Sequence, residues 1–379
     1  MSSHFDIIIV GGGPAGSACG TMLARAGLRV LILEKTKFPR EKICGACVNP
    51  RAWQYFEHLG VADELRAQTL NTIDSFRVTS NTGSSFAGQI PVSTHHQFFS
   101  IARSELDSIL LKQASRSGVE VLEETAVIDI RRETCWTIVA PRGNDVVYFT
   151  CDILVGADGR NSLVARKTPE FLRRSIRARI RESAIRDGRV GVQWHTGHQP
   201  RLGSAVEMFL FGSGYGGIVN IDAQHANVAL VTSHATAQLA YHDFPRFLEE
   251  TMYNNPSAKE KLKSLTPDGE IHTAATITPR TNRSAHPNAL LIGDARQTVE
   301  PFTGEGILFA LQDAWIAARS ILGRYNRNGL PRIHPYNRFI ANSFLSMALR
   351  RPFLAQQLTG IGSVIPSVTR PVLRSLFGM

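Results

Sequence analysis

The hydrophobic positions of the chain change period several times, and each change marks an element. Asp6 to Val10 is an unbroken apolar run, the pattern of a strand covered on both faces. Gly11 to Gly16 interrupts it as a turn, Ala15 to Ala26 is small and helical, and Arg29 to Leu33 is a second apolar strand ending in Glu34. A helix is predicted over Arg51 to Leu65, with alternating segments around Ser75 to Val78 and Phe98 to Ile101. Ser104 to Ser117 predicts a helix with Leu106, Ile109, Leu110 and Ala114 on one face and Gly118 closing it. Strands are predicted at Val119 to Leu122, Ala126 to Arg131, Trp136 to Ala140 and Val146 to Phe149, then a buried one at Asp152 to Gly156. From about Pro169 to Thr278, strand-like stretches at Val190 to His195, Val206 to Phe211, Gly217 to Ile221 and Val228 to Thr232 predict an antiparallel sheet. Ala289 to Gly293 returns to a short buried strand, and Gly306 to Leu322 to a long amphipathic helix.

The nucleotide-binding pattern is therefore split, and the middle section is an insertion. The expected fold class is α/β: a Rossmann-like nucleotide-binding domain from residues 1–75, 99–168 and 279–325 and an inserted antiparallel β-sheet substrate domain from 76–98 and 169–278, followed by a basic C-terminal helical segment over 326–379. A length of 379 residues, 43% of them hydrophobic, suits two or three domains. The five scattered cysteines argue against a disulfide framework and for a reducing, cytoplasmic setting. The apolar stretch His4 to Leu23 lacks a basic leader and carries Asp6, so it does not read as a signal peptide, and no apolar run is long enough for a membrane span.

Charge changes the picture at one end. Of the net +10, nearly all lies after Asp313, where there is no Asp, Glu or Lys but nine arginines. A solvated basic face and a peripheral contact with anionic lipid both fit this segment. Nucleic acid is disfavoured, because the arginines are not interleaved with aromatics at a recognisable spacing.

Gly11, Gly13 and Gly16 stand in GxGxxG order between a strand and a helix. The first glycine permits the tight turn, the second leaves room for a pyrophosphate, and the third lets the helix approach the sheet. The helix N-terminus at Pro14 and Ala15 offers its positive dipole end to phosphate. Glu34, followed by Lys35, can accept hydrogen bonds from ribose hydroxyls and disfavours a 2′-phosphate. The cofactor expected is a dinucleotide with an unphosphorylated adenosine ribose.

Two further segments, VGADGRNS at Val155 to Ser162 and LLIGDARQTVEPFTGEGI at Leu290 to Ile307, choose between the candidates. Together with the glycine turn they resemble the signatures of flavoproteins of the p-hydroxybenzoate hydroxylase type, over roughly residues 5 to 325. The resemblance implies FAD as cofactor, with NAD(P)H as a transient electron donor. It implies that Arg103, Asp158 and Gly159 lie near the FAD phosphates, that Gly293 and Asp294 meet the ribityl chain, and that Pro301, Gly304, Gly306 and Ile307 lie against the isoalloxazine. The segment FPREKICGACVNPRA at Phe38 to Ala52 resembles the geranylgeranyl reductase branch, in which it runs close to flavin and substrate. That branch also carries an aromatic YxWxFP signature. Here the matching segment is GYGGIVN, with Gly217, Val219 and Asn220 in place of Trp, Phe and Pro, so a wider or differently shaped cavity is expected. The two tryptophans of flavin-dependent halogenases are absent from the same segment.

The catalytic residue is left open, with Cys44, Cys47 and Tyr215 as candidates near the flavin. Cys44 and Cys47 form a single CxxC, which suits a thiol pair but does not complete a zinc site, and no metal is expected. The histidines offer no recognisable spacing. Two outcomes fit equally: hydride transfer that reduces a hydrophobic small molecule, or oxygen activation by an aromatic monooxygenase.

Overall fold

The computed structural model describes residues 3–68, 71–90, 96–143, 145–168, 189–197, 202–212, 214–263, 265–275, 280–282, 286–299, 304–325 and 330. The basic segment from 331 onward, Pro301 and most of the Arg-rich stretch after Lys167 lie outside them.

Strand β1 (Ser3–Val10), helix α1 (Pro14–Arg25) and strand β2 (Val30–Leu33) form the first unit. Ile7, Ile8 and Ile9 are fully buried because β1 lies inside a sheet covered on both faces. The strand order is Glu120–Leu122, β2, β1, Asp145–Gly156, Trp136–Arg142, Asp129–Arg132. The Asp145–Gly156 strand serves two neighbours on one side. Its first half pairs antiparallel with Trp136–Arg142, and its last residues pair parallel with Ala289–Leu291. Two separate strands were expected there; twelve residues run through as one.

The five parallel strands of this sheet end on the same edge, and Gly11, Glu34, Ala157 and Gly293 follow four of them. That edge is where open α/β sheets place ligands. One face packs on α1, the helix Arg103–Arg116 and the closing helix Gly306–Arg324, with Ala18, Cys19, Leu23, Leu110, Leu311 and Ile321 in one core.

The inserted sheet runs Pro267–Ala275, Arg189–Thr196, Ala226–Ser233, Gly214–Asn220, Ala205–Phe211, Ser75–Thr79, Ser85–Gln89. It is antiparallel except where Ser75–Thr79 pairs parallel with Ala205–Phe211. Three short helices, His234–His242, Phe244–Glu250 and Pro256–Leu262, cover one face over Val192, Trp194, Phe209 and Val228. The sequence reading missed them, although their starts are marked. Ser233, Asp243 and Asn255 each accept a backbone N–H as N-cap, and Pro256 occupies the first turn. The helix expected over Arg51 to Leu65 is broken at Gly60, whose φ of 71° ends Trp53–Leu59 before Ala62–Ala67 begins.

Two glycines in helices predict opposite outcomes. At Gly16 an added Cβ would lie 1.9 Å from the Gly11 carbonyl oxygen, so Gly16→Ala must push α1 off the sheet. At exposed Gly323 a Cβ meets nothing within 4 Å. Thermal unfolding is expected to show Gly323→Ala stabilised by about 0.5–1 kcal/mol, and Gly16→Ala destabilised by about 2 kcal/mol or more.

Candidate cofactor site

The glycine turn is shaped by close backbone contact. Gly11 has φ of 105°, and a Cβ there would sit 2.5 Å from the Ala157 oxygen. Gly13 caps α1 without a side chain, Pro14 occupies its first turn, and Ala15 is buried beneath. A Cβ on Gly13 would meet only the Arg40 guanidinium, at 3.5 Å, so this side of the turn is open except for a cation.

Glu34 is 4% exposed, and its carboxylate is built into the turn. One oxygen accepts the Gly12 N–H at 2.8 Å, and the other accepts Thr36 N–H at 3.0 Å and Thr36 hydroxyl at 2.7 Å. The sequence reading assigned Glu34 only to a ribose; the structure adds that it fixes the turn itself. Lys35 points outward, exposed.

Asp158 lies where the Asp145–Gly156 strand ends, its Cα about 3.0 Å from the place of a Gly11 Cβ. One carboxylate oxygen accepts Leu163 N–H at 2.6 Å and Val164 N–H at 3.2 Å, closing the start of the helix Leu163–Lys167. The other is buried with no hydrogen-bond partner among the described residues. Burial raises the Asp158 pKa, while Ser162 and the backbone N–H groups pull it back. Gly159 follows with φ of 78°.

A cationic cluster stands at the N-terminus of the helix Arg103–Arg116. Arg103, 7% exposed, donates through Nε and Nη2 to the two oxygens of Asp107 at 2.9 and 2.8 Å. Arg40 Nη2 reaches the same carboxylate at 3.4 Å. Burial opposes the Arg103 charge, but Asp107, and with it Cys44, hold its pKa above the ordinary arginine value. Lys42 shares this environment: burial and Arg103 lower its pKa, and Asp294 and Asp107 oppose them. Three cations thus face two carboxylates in a partly desolvated space, which suits an anionic group such as a pyrophosphate. Arg40 and Lys42 were not assigned roles from sequence. Their signal was the basic run before Cys44 in the FPREKICG segment.

The remaining predicted residues converge from the other side. Gly293, at φ of 58°, donates its N–H to Asp313 at 3.1 Å, and a Cβ there would come within 3.0 Å of Ala15. Asp294 follows in a single helical turn and acts electrostatically on Lys42. Gly304 is at φ of 65°, and a Cβ there would sit 3.2 Å from the Cys47 Cβ. Gly306 begins the closing helix and Ile307 is buried in the core.

The three catalytic candidates separate. Cys47 is buried, and burial pushes its thiol pKa well above the ordinary value. Cys44 is half-buried and close enough to Arg103 to act on its charge. Tyr215 packs with Val231 on the inserted sheet, against Met208, Leu210 and Ala274. The cavity anticipated at Gly217 is partly filled, because Met208 Sδ lies 2.5 Å from the place of a Gly217 Cβ. Val219 is buried in one cluster with Ala46 and Cys47, which joins this strand to the cysteine loop. A separate cavity of about 770 Å³ is lined by Phe38, Glu41, Glu105, Ser108 and Lys112, among others. None of the predicted cofactor residues lines it. No group of His, Cys, Asp and Glu among the described residues could hold a metal ion.

The FAD binding domain family matches residues 4–336. The chain is 30% identical over 341 residues to the menaquinone reductase of Mycobacterium tuberculosis (strain ATCC 25618 / H37Rv), covering 84% of this chain and 77% of that protein. The flavin-dependent brominase Bmp2 shares the fold at a TM-score of 0.78 and 21% identity, over 99% of this chain and 94% of the brominase. A geranylgeranyl bacteriochlorophyll reductase-like protein from Thermoplasma acidophilum shares it at a TM-score of 0.67 and 19% identity, over 86% and 80% of the two chains. The family match spans the glycine turn, the cationic cluster and the Gly293 turn alike, and the chain belongs to the FAD binding domain family as an FAD-dependent enzyme.

Proposed function

We propose that NAD(P)H, as the transient donor, reduces the FAD, and that the reduced flavin passes a hydride to an unsaturated, apolar substrate held against the inserted sheet. The observation that carries the reading is the face of that sheet bearing Tyr215, Val231, Met208 and Leu210. It is apolar, and it carries the small residues Ala229 and Gly217 in register on adjacent strands, with Gly191 opposite Val231. The same face carries Gln193 and Asn227, which touch the cysteine loop beside Arg103. Such a surface takes a flat or extended hydrocarbon, and an isoprenoid quinone of the kind named for the mycobacterial relatives is the leading candidate.

In this reading the Gly11–Gly16 turn and Glu34 hold the adenosine end of FAD. Arg103, with Arg40 and Lys42, faces its phosphates, and Asp294 meets the ribityl hydroxyls. Bound flavin supplies the two-electron chemistry. The chain's own contribution beside it is the N-terminus of the closing helix at Gly306, whose partial positive charge favours an anionic ring. The substrate's face is kept dry by Tyr215 and Val231, both about 4% exposed.

The acid-free segment after Asp313 gives an apolar substrate a route from an anionic lipid surface. Sedimentation with anionic vesicles is expected to retain the full chain and to lose the chain truncated after Pro352; equal binding of both removes this route. For the reaction, NAD(P)H-dependent turnover of an isoprenoid quinone is expected to proceed without oxygen. Turnover that stops under anaerobic conditions and yields a hydroxylated product would replace hydride transfer by oxygen activation.

A further inference from the structure

The loop from Arg40 to Ala46 has no regular secondary structure, yet it carries Lys42 and Cys44 into the cationic cluster. Its backbone is secured from outside the nucleotide domain. Cys44 N–H donates to Gln193 Oε1 at 2.8 Å, Gln193 Nε2 donates to Asn227 Oδ1 at 2.7 Å, and Asn227 Nδ2 donates to the Cys44 carbonyl at 3.1 Å. The three bonds close a ring.

We propose that Gln193 and Asn227 are positioning residues, a two-amide clamp by which the inserted sheet sets the place of the Lys42–Cys44 segment over the cofactor site. The ring determines its own polarity. The Cys44 N–H requires an oxygen opposite it, which turns the Gln193 NH2 toward Asn227, which in turn points the Asn227 NH2 at the Cys44 carbonyl. Both side chains are buried, at 3% and 1% exposure, on the paired strands Arg189–Thr196 and Ala226–Ser233. Buried amides need partners, and these two find theirs in each other and in the loop. A second proton of Gln193 Nε2 faces His195 Nε2 at 3.3 Å, on the same strand.

The clamp also explains how an irregular loop keeps a cation cluster in order. Cys44 lies close enough to Arg103 to act on its charge, and three residues on Cys47 packs against Gly304. Fixing Cys44 therefore fixes the loop between the Arg103 helix and the start of the closing helix. This inference does not depend on the substrate.

Limited trypsin digestion of the full chain as purified reads it directly, because Lys42–Ile43 is a cleavable bond inside the clamped segment. Gln193→Leu and Asn227→Leu each break the ring and orphan a buried partner, so cleavage there should rise about tenfold or more at a temperature well below the melting point of either variant. Gln193→Glu keeps the acceptor opposite the Cys44 N–H but sets a second acceptor against Asn227 Oδ1, so cleavage should rise there too, by less than in the leucine variant. Leucine variants that fold normally and are cut no faster would overturn the clamp. If they do not fold, hydrogen exchange at the Cys44 amide of the unmutated chain decides: protection of about 100-fold or more supports it, and exchange at the rate of an open loop overturns it.

Discussion

The cofactor site depends on one contact, the approach of α1 to the end of β1 at Gly11 and Gly16. A Cβ at Gly16 would lie 1.9 Å from the Gly11 oxygen, so backbone occupies the space that a side chain would take elsewhere. That proximity sets the direction of the helix and aims its N-terminus along the strand edge. Glu34 then locks the arrangement from β2 by accepting the Gly12 N–H inside the core, where a bond to a charged group contributes about 1.5–3 kcal/mol. Strand, turn, helix and second strand are thus held by contacts that tolerate almost no alternative residue.

Outward from this joint, the order of the site is electrostatic. Asp107 gathers Arg103 and Arg40, and Asp294 acts on Lys42. A buried pair alone is weak evidence for stability, because desolvation offsets its attraction. A surplus of cations beside an open glycine turn has a different meaning: it leaves charge for a ligand to neutralise. The inserted sheet supplies the other half, an apolar face whose small residues leave room and whose Met208 takes up part of what Gly217 vacates.

Much of this was legible in the sequence where the constraint is local. The apolar run Asp6–Val10 and the glycine spacing gave the first unit, and the motifs at Val155 and Leu290 pointed to the same strand edge. What was missed depends on residues far apart in the chain. Arg40 and Lys42 gain meaning only when Asp107 and Asp294 come beside them, and Gln193 and Asn227 read as ordinary strand polar residues until they meet Cys44. The helices after Ser233 were hidden for another reason. They are short, and caps rather than a long apolar period mark them.

In the proposed arrangement FAD lies between the glycine turn and Asp294. The most direct measurement is the FAD dissociation constant of Asp294→Ala beside that of the parent chain, with the melting temperature of each unloaded protein as control. Loss of hydrogen bonds to a charged group predicts affinity weakened about tenfold or more with the unloaded fold unchanged. Equal affinity in a normally folded variant would contradict this placement of the cofactor.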